Sequence, residues 1–254
     1  MNKILYFVSV MIFCIVFLSN AGDAKQTFFT IGVEAQKYYP QFDNENGIEY
    51  FGFARDLLDM FANQNHYQFV YKIRPVKRLF HDFVKREVDF KYPDNPFWQA
   101  DMKKDQNVCY SDSVVKYIDG VVVLAENKTM DLSSFKMLGT IRGFTPYPFL
   151  NLIAEKKVLL SENSNYISLL RQVLARRITG AYSNISVARY NLKEHFKKTG
   201  AIVFNPNLPH IKDSYYLSSI MYPTVISEFN AFLKDKKEQI DQLKNKYKVG
   251  ILDE

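Results

Sequence analysis

The stretch LLRQVLARRITGAYSNISVARY, residues 169–190, predicts a helix, a short strand and a second helix in direct succession. Apolar residues of the first helix recur at the spacing of one helical face, namely Ile167, Leu170 and Leu174. GAYSN, residues 180–184, follows as a short strand, and a helix then covers about 185–198 until Gly200 closes it. This order is typical of an α/β sheet, in which ligands bind at the carboxyl ends of strands.

The first half of the chain has the same alternation. TFFTIGVE, residues 27–34, alternates like a strand, and residues 52–65 place their apolar side chains on one helical face. A strand over 67–73, a helix that begins after Pro75 and the strand-like segment 87–93 complete a β-α-β-α-β order. Further strands are predicted later in the chain, at 119–126, 137–143, 157–162, 201–210 and 214–221.

Composition predicts a globular chain with a sizeable core. The 254 residues are 47% hydrophobic and 24% charged, which suits two lobes better than one. No Ser- or Gly-rich linker divides the chain, so structured segments should join the two halves. The net charge of +6 does not indicate a nucleic-acid partner, because the lysines of residues 232–248 alternate with acidic residues as on a solvated helix face. Apolar residues from 226 to 247 form one helical stripe through most of this run. We expect the protein to be a monomer.

Residues 1–24 predict a secretory signal peptide and hence a periplasmic protein. Lys3 precedes a continuous apolar run, and small residues that end at Ala24 follow it. A membrane anchor is the alternative, because the run over 4–18 is close to the shortest spanning length. Cleavage would leave Cys109 as the only thiol, so the mature chain would depend on core packing and not on internal disulfides.

The residues that usually carry catalytic and metal chemistry lack the usual spacing. The 4 histidines show no HxxxH or HExxH pattern, and the sequence has no CxxC, no GxSxG and no glycine-rich phosphate loop. We therefore expect no metal, no cofactor and no enzyme activity. A catalytic site assembled from residues distant in sequence stays open as an alternative.

Several segments stand in the order and spacing of a known family. They are FTIGVE (29–34), GFARDLLDMFA (52–62), RLFHDFVKREVDF (78–90), CYSDSV (109–114), LGTIRGFT (138–145) and the stretch 169–190. With these segments the chain resembles the family 3 extracellular solute-binding proteins, the type II periplasmic binding proteins of polar amino acid uptake systems. The resemblance covers nearly the whole mature chain.

The resemblance implies an α/β fold with two lobes, each a sheet flanked by helices, joined by two crossover segments. Lobe 1 would comprise residues 25–115 and 208–254, and lobe 2 residues 116–207. A small polar or anionic, amino-acid-like solute would bind in the cleft between them. Hinge closure would then present the closed form to an inner-membrane ABC permease or a sensor.

Two alternatives to transport stay open on the same scaffold. Relatives of this fold include a cyclohexadienyl dehydratase, and such an enzyme would need a positioned acid or base, for which Glu34, Lys77 and Asp94 are candidates. A sensor or partner protein without a transport role is the other alternative.

Loops that follow strand ends should line the cleft. They supply the candidate ligand-binding residues Tyr38, Tyr39, Asp94, Asn95, Trp98, Arg142, Gly143, Phe144, Tyr182 and Asn184. Tyrosine and tryptophan offer stacking faces, with one of Tyr38 and Tyr39 packing behind its own strand as the alternative. Arg142, beside backbone N–H groups at Gly143, could hold a carboxylate or another anion.

Two positions depart from what the resemblance implies for an amino acid ligand. Asn184 stands where amino acid binders commonly carry an aspartate for the α-ammonium group, and an amide supplies no charge. The arginine of the family's Thr-Pro-x-Arg motif also has no counterpart, because Lys103 or Lys104 falls at its place. Lysine lacks the planar fork that grips a carboxylate.

Overall fold

The structure is a computed structural model that describes residues 27–250. The predicted signal peptide, residues 1–24, lies outside the described residues. The strands are β1 Thr27–Glu34, β2 Asp43–Glu45, β3 Glu49–Phe51, β4 Tyr67–Arg74, β5 Phe90–Asp94, β6 Cys109–Tyr110, β7 Val115–Leu124, β8 Met137–Ile141, β9 Leu159–Asn163, β10 Gly180–Asn184, β11 Ile202–Phe204 and β12 Ile211–Ser219. The helices are α1 Phe53–Gln64, α2 Val76–Val84, α3 Ala100–Lys103, α4 Leu150–Ala154, α5 Tyr166–Leu174, α6 Ile185–Glu194, α7 Pro223–Asp235 and α8 Lys237–Tyr247.

Ten of the described strands pair into one sheet. Its order is β4-β1-β5-β12-β7-β10-β8-β9, with β6 paired to β12 and β11 paired to β7. β1 runs parallel to β4 and β5, and β8 runs parallel to β9 and β10. The antiparallel strands β12 and β7 join these two parallel groups at the centre of the sheet.

Strand β12 carries the chain from one half of this sheet to the other. Residues 211–215 pair with residues 115–119 of β7, and from Tyr216 onward β12 pairs with β5 and β6. We call the half that contains β4, β1, β5 and β6 the first lobe, and the half that contains β7 to β11 the second lobe. The predicted lobe boundaries near residues 115 and 208 stay a prediction.

Helices cover the sheet because their apolar residues recur at the helical period. In α1, the fully buried Leu57 and Phe61 repeat at i and i+4, and the Phe61 ring contacts those of Phe229 and Phe232 on α7 at 5.0 and 5.4 Å between centroids. In α5 the buried face is Tyr166, Leu169, Leu170 and Val173. Burial of each such side chain contributes roughly 1.5–3 kcal/mol to the free energy of folding. Within residues 27–250, no helix has both the length and the hydropathy to cross a membrane.

The structure differs from the sequence prediction in a few elements. The predicted helical stripe over 226–247 is divided at Lys236 into α7 and α8. Helix α6 ends at Glu194 and not near Lys198. The hairpin of β2 and β3, which turns at residues 46–47 with positive φ angles, was not predicted, because strands of three residues show too little alternation.

Candidate ligand-binding site

A buried cavity lies between the two lobes, beside the carboxyl ends of several strands. Its walls are formed by Glu34, Tyr38, Phe42, Val76, Phe80, Pro93, Trp98, Asp119, Gly143, Phe144, Thr145, Tyr182 and Tyr215. The volume of the cavity is about 20 Å³, enough for about one water molecule in this arrangement of the lobes. A larger solute therefore needs the lobes further apart, both to enter and to be held between them.

Hydrogen bonds close the two lobes on each other around this cavity. The Tyr38 hydroxyl accepts a hydrogen bond from the backbone N–H of Asn184 at 3.3 Å. Gln99 donates from its side chain to the carbonyl of Gly143 at 3.0 Å, and from its backbone to Thr145 Oγ1 at 3.3 Å. These bonds join loops of the first lobe to loops of the second, so the structure is the closed form.

Gly143 lets the lobes approach this closely. A Cβ atom at this position would lie 3.0 Å from Lys77 Cγ, and 3.1 Å from both Lys77 N and Val76 Cβ, at the start of α2 in the first lobe. The residue also has a φ of +94°, which favours glycine. Closure therefore depends on the absence of a side chain at residue 143.

We expect the Gly143→Ala variant to remain more open than the unsubstituted protein, with a larger radius of gyration in small-angle X-ray scattering. Overpacking at such a contact costs roughly 1–3 kcal/mol, so solute affinity should fall about 5- to 100-fold. Gly47→Ala is the matched control, because Gly47 has a φ of +75° but an added Cβ would meet nothing within 4 Å. If Gly143→Ala is as compact as Gly47→Ala, this account of closure is wrong.

Asp119, on β7, lines the cavity and has one carboxyl oxygen without a hydrogen-bond partner. The residue is only 9% exposed, and its Oδ1 has no hydrogen-bond partner. The Asn184 side chain, directly opposite on β10, hydrogen-bonds this carboxyl group. The pKa of Asp119 is raised to about 7, chiefly by burial, with the Asn184 hydrogen bond opposing the shift and the nearby carboxyl groups of Asp213 and Glu34 adding to it.

Glu34 is the second carboxyl group in the cavity wall, at the carboxyl end of β1. It is 3% exposed, and burial raises its pKa to about 7. The Lys91 ammonium group lies 3.9 Å from Glu34 Oε1 and opposes this shift, whereas Asp94 adds to it. Glu34 therefore has a cationic neighbour, in contrast to Asp119.

Behind the cavity wall lies a buried group of charges, which we call the buried charge cluster: Glu34, Lys91, Asp94 and Lys103. Asp94 Oδ1 lies 3.6 Å from Lys91 Nζ and 3.2 Å from Lys103 Nζ, and Ser218 donates to Asp94 Oδ2 at 2.7 Å. Burial lowers the pKa of Lys103 to about 8 although Asp94 opposes that shift. Both lysines are thus engaged by acidic residues inside the first lobe.

Lys91 also contacts the back of the aromatic wall. Its Nζ lies 4.2 Å from the centroid of the Phe80 ring and 5.5 Å from that of Trp98. A cation at this distance from a ring face is attracted by the ring's negative quadrupole. The charge cluster therefore holds two cavity-lining rings in place from the side opposite the cavity.

The structure brings part of the predicted site together. Five of the candidate residues line the cavity: Tyr38, Trp98, Gly143, Phe144 and Tyr182. Asn184 lies directly behind them, where its Nδ2 donates to the Tyr215 hydroxyl at 3.2 Å and its Oδ1 caps helix α6. A role of these residues in ligand binding stays a prediction.

The remaining candidates lie elsewhere. Asp94 belongs to the buried charge cluster, and Asn95 donates to Asp213 at 2.8 Å where β12 passes between the lobes. Tyr39 packs its ring 4.6 Å from that of Tyr190, outside the cavity wall. Arg142 is exposed and is also absent from the wall, and the anion contact predicted there stays a prediction.

Sequence reasoning did not name eight of the 13 wall residues as ligand contacts, among them Asp119, Phe80 and Tyr215. Asp119 carries a readable signal, because it is a carboxylate inside a strand whose other residues are mostly buried. Nothing in the sequence distinguishes Phe80 and Tyr215, since aromatic residues at helix or strand spacing are ordinary core residues. Among residues 27–250, no group of three or more His, Cys, Asp or Glu side chains could hold a metal ion.

Neither a known family nor a curated protein matches the sequence. Solved structures match in fold. An ancestral arginine-binding protein bound to arginine has a TM-score of 0.69 at 16% identity, over 87% of this chain and 98% of that chain. An ABC uptake transporter substrate-binding protein from Streptococcus pneumoniae, with bound histidine, has a TM-score of 0.69 at 16% identity, over 87% of this chain and 92% of that chain. The ancestral amino acid-binding protein AncCDT-1, a precursor of cyclohexadienyl dehydratase, has a TM-score of 0.68 at 18% identity, over 87% of this chain and 95% of that chain.

The chain has the two-lobed fold of periplasmic binding proteins. The α/β fold class predicted from the sequence is therefore confirmed. Membership of family 3 stays a prediction, because these likenesses show the fold alone.

Proposed function

We propose that the protein is an exported solute-binding protein that captures a small solute between its lobes for an inner-membrane ABC permease or a sensor. The observation that carries the proposal is the interlobe cavity, which is walled by both lobes and has the buried carboxyl group of Asp119 in its wall. Buried polar atoms are almost always paired, and this carboxyl group keeps one oxygen without a partner, so it is a natural ligand contact. The solute-binding proteins that share the fold add support.

Binding would proceed by closure of the lobes. In the open form the solute first contacts one lobe, and the other lobe then covers it. The bonds of Gln99 to Gly143 and Thr145 form only when the lobes meet, so they stabilise the closed form. A solute shifts the equilibrium by as much as its affinity for the closed form exceeds that for the open form.

The charges of the wall do not favour an anionic solute. Within the described part of the chain, the ionisable residues of the wall are two carboxylic acids and three tyrosines, without lysine or arginine. An anion would have to approach Glu34 and Asp119 with no cation to receive it. Of the two solute classes predicted from the sequence, small polar and small anionic, we therefore propose the small polar one.

A thermal-shift screen of residues 25–254 tests the function. We expect at least one compound in a panel of amino acids, amines, sugars, peptides and organic acids to raise the unfolding temperature. At a concentration 100 times the Kd, mass action stabilises the folded form by about 2.7 kcal/mol, or about 5–10 °C for a chain of this size. If no compound in the panel shifts the transition, the proposed function is wrong.

An enzyme on the same scaffold is the second candidate. The observation that favours it is the pair of buried carboxyl groups, Glu34 and Asp119, each with a pKa of about 7, where a general acid or base works best near neutral pH. Prephenate, the substrate to test for a dehydratase, carries two carboxylates, which the wall does not favour. Turnover of prephenate that is lost in Asp119→Asn would establish the enzyme, and no turnover would leave the binding function.

A further inference from the structure

The two carboxyl groups of the cavity differ in what they require. Glu34 has the Lys91 ammonium group 3.9 Å away, so its negative charge is compensated inside the protein. For Asp119, the charged neighbours that affect its carboxyl group are Asp213 and Glu34, both acidic. Its Oδ1 is buried and unpaired. The ionised form of Asp119 therefore lacks a cationic neighbour inside the protein, and a cationic solute in the cavity can supply one.

The rest of the wall suits an organic cation with an apolar part. Most of the wall is aromatic, with rings from both lobes: Tyr38, Phe42, Phe80, Trp98, Phe144, Tyr182 and Tyr215. Ring faces attract an ammonium group and also bury hydrocarbon. A hydrated metal ion would gain little from such walls, whereas an alkyl or aryl amine gains from both the rings and the carboxyl group.

Within residues 27–250, no lysine or arginine belongs to the wall, where it could hold a carboxylate on the same solute. The basic residues beside the wall are engaged by acidic ones: Lys91 and Lys103 contact Asp94 in the buried charge cluster, and the Lys77 ammonium group lies 3.6 Å from Glu162 Oε1. Arg142, the residue predicted to hold a carboxylate, is exposed and outside the wall. A free amino acid would thus place its carboxylate near Glu34 without a counterion.

We propose that the interlobe cavity binds a small primary or secondary ammonium compound without a carboxylate, whose N–H group donates to the Asp119 carboxyl group. This inference rests on the proposed solute-binding function and assigns its ligand class. A quaternary ammonium compound is excluded from the class because it has no N–H group to donate to this carboxyl group.

The affinity for the amine should depend on pH because the Asp119 carboxyl group titrates. The groups that face its carboxyl group are Asn184, Asp213, Glu34, Tyr38, Tyr117, Tyr166, Tyr182 and Tyr215. The amine binds the ionised carboxylate, and the free carboxyl has a pKa of about 7. Between pH 8 and pH 6 the ionised fraction falls about tenfold, so amine affinity should fall about tenfold.

Matched pairs of compounds test the ligand class by isothermal titration calorimetry on residues 25–254. Each pair consists of an amine and the amino acid that differs from it only by the carboxylate: histamine and histidine, tyramine and tyrosine, isobutylamine and valine. We expect at least one amine to bind more than tenfold more tightly than its amino acid. In Asp119→Asn, which keeps the shape of the side chain, that amine should bind about 10- to 100-fold more weakly.

The control variant is Asp105→Asn, which removes a carboxylate from an exposed position and should leave the amine affinity unchanged. If the amino acids bind as tightly as the amines, the ligand class is wrong and the solute-binding function stands. If an amine binds equally well to Asp119→Asn, the assignment to Asp119 is wrong. If neither series nor the wider panel binds, both the inference and the proposed function are wrong.

Discussion

At pH 8, and without any solute, the Asp119→Asn variant should unfold about 8–16 °C above the unsubstituted protein. The Asp119 carboxyl group has a pKa of about 7 in the folded chain, against 3.8 when unperturbed, so at pH 8 folding buries an ionised group. A rise of about three pKa units corresponds to roughly 4 kcal/mol of lost stability. Asparagine has the same shape without the charge, so the variant avoids most of this cost.

The difference between the two proteins should depend on pH in a defined way. Because the folded pKa lies above the unfolded pKa, the folded chain binds more protons between about pH 4 and pH 7. The contribution of Asp119 to stability is complete below that range and is lost as the pH rises through 7. The advantage of Asp119→Asn should therefore grow from pH 4 to pH 7 and stay constant above it.

Thermal unfolding of both proteins from pH 4 to pH 8 measures this difference. Glu34 titrates in both proteins, so the comparison reports Asp119 together with its interaction with Glu34. A variant that is less stable than the unsubstituted protein at pH 8 would show that the folded chain needs the carboxylate. A residue that raises stability when removed but is required for binding is one retained for its ligand.

Asp94→Ala should lower the free energy of unfolding by about 3–5 kcal/mol. Asp94 is fully buried and is the acidic residue shared by Lys91 and Lys103, at 3.6 and 3.2 Å. Its loss leaves two buried ammonium groups that repel each other, with only Glu34 nearby. An uncompensated charge in the interior is far more costly than an ion pair broken at the surface.

Urea unfolding measures the loss, with Asp105→Ala as the control. Asp105 is exposed, so its replacement should change stability by less than about 0.5 kcal/mol. Adding Lys103→Met to Asp94→Ala removes one of the two stranded charges and should recover part of the loss. A loss below about 1 kcal/mol in Asp94→Ala would contradict the described role of the buried charge cluster.

The fold could largely be predicted because periodicity reports directly on burial. GAYSN is the strand 180–184 as predicted, and the helix predicted after Pro75 is α2. Each of these segments packs one face on a core that the sequence marks with apolar residues. The division at Lys236 could not be predicted, because the apolar spacing continues through it from α7 into α8.

The site could be predicted only as a region. Loops after strand ends do meet at the cavity, but which side chain of a loop faces it depends on backbone geometry that spacing does not record. Tyr38 therefore lines the wall while its neighbour Tyr39 packs outside, and Trp98 lines it while Asp94 faces the interior of the first lobe. Asp119 was missed because its importance lies in one carboxyl oxygen, Oδ1, that has no hydrogen-bond partner, which is a property of the folded surroundings.

The position of Trp98 has a practical consequence. It is the chain's only tryptophan, and its ring belongs to the cavity wall, 5.8 Å from the ring of Tyr215 and 5.5 Å from the Lys91 ammonium group. Selectively excited indole emission therefore arises from this one location and senses the local polarity and electric field. The protein thus carries its own optical probe, which reports occupancy and lobe movement in real time without a dye or a label.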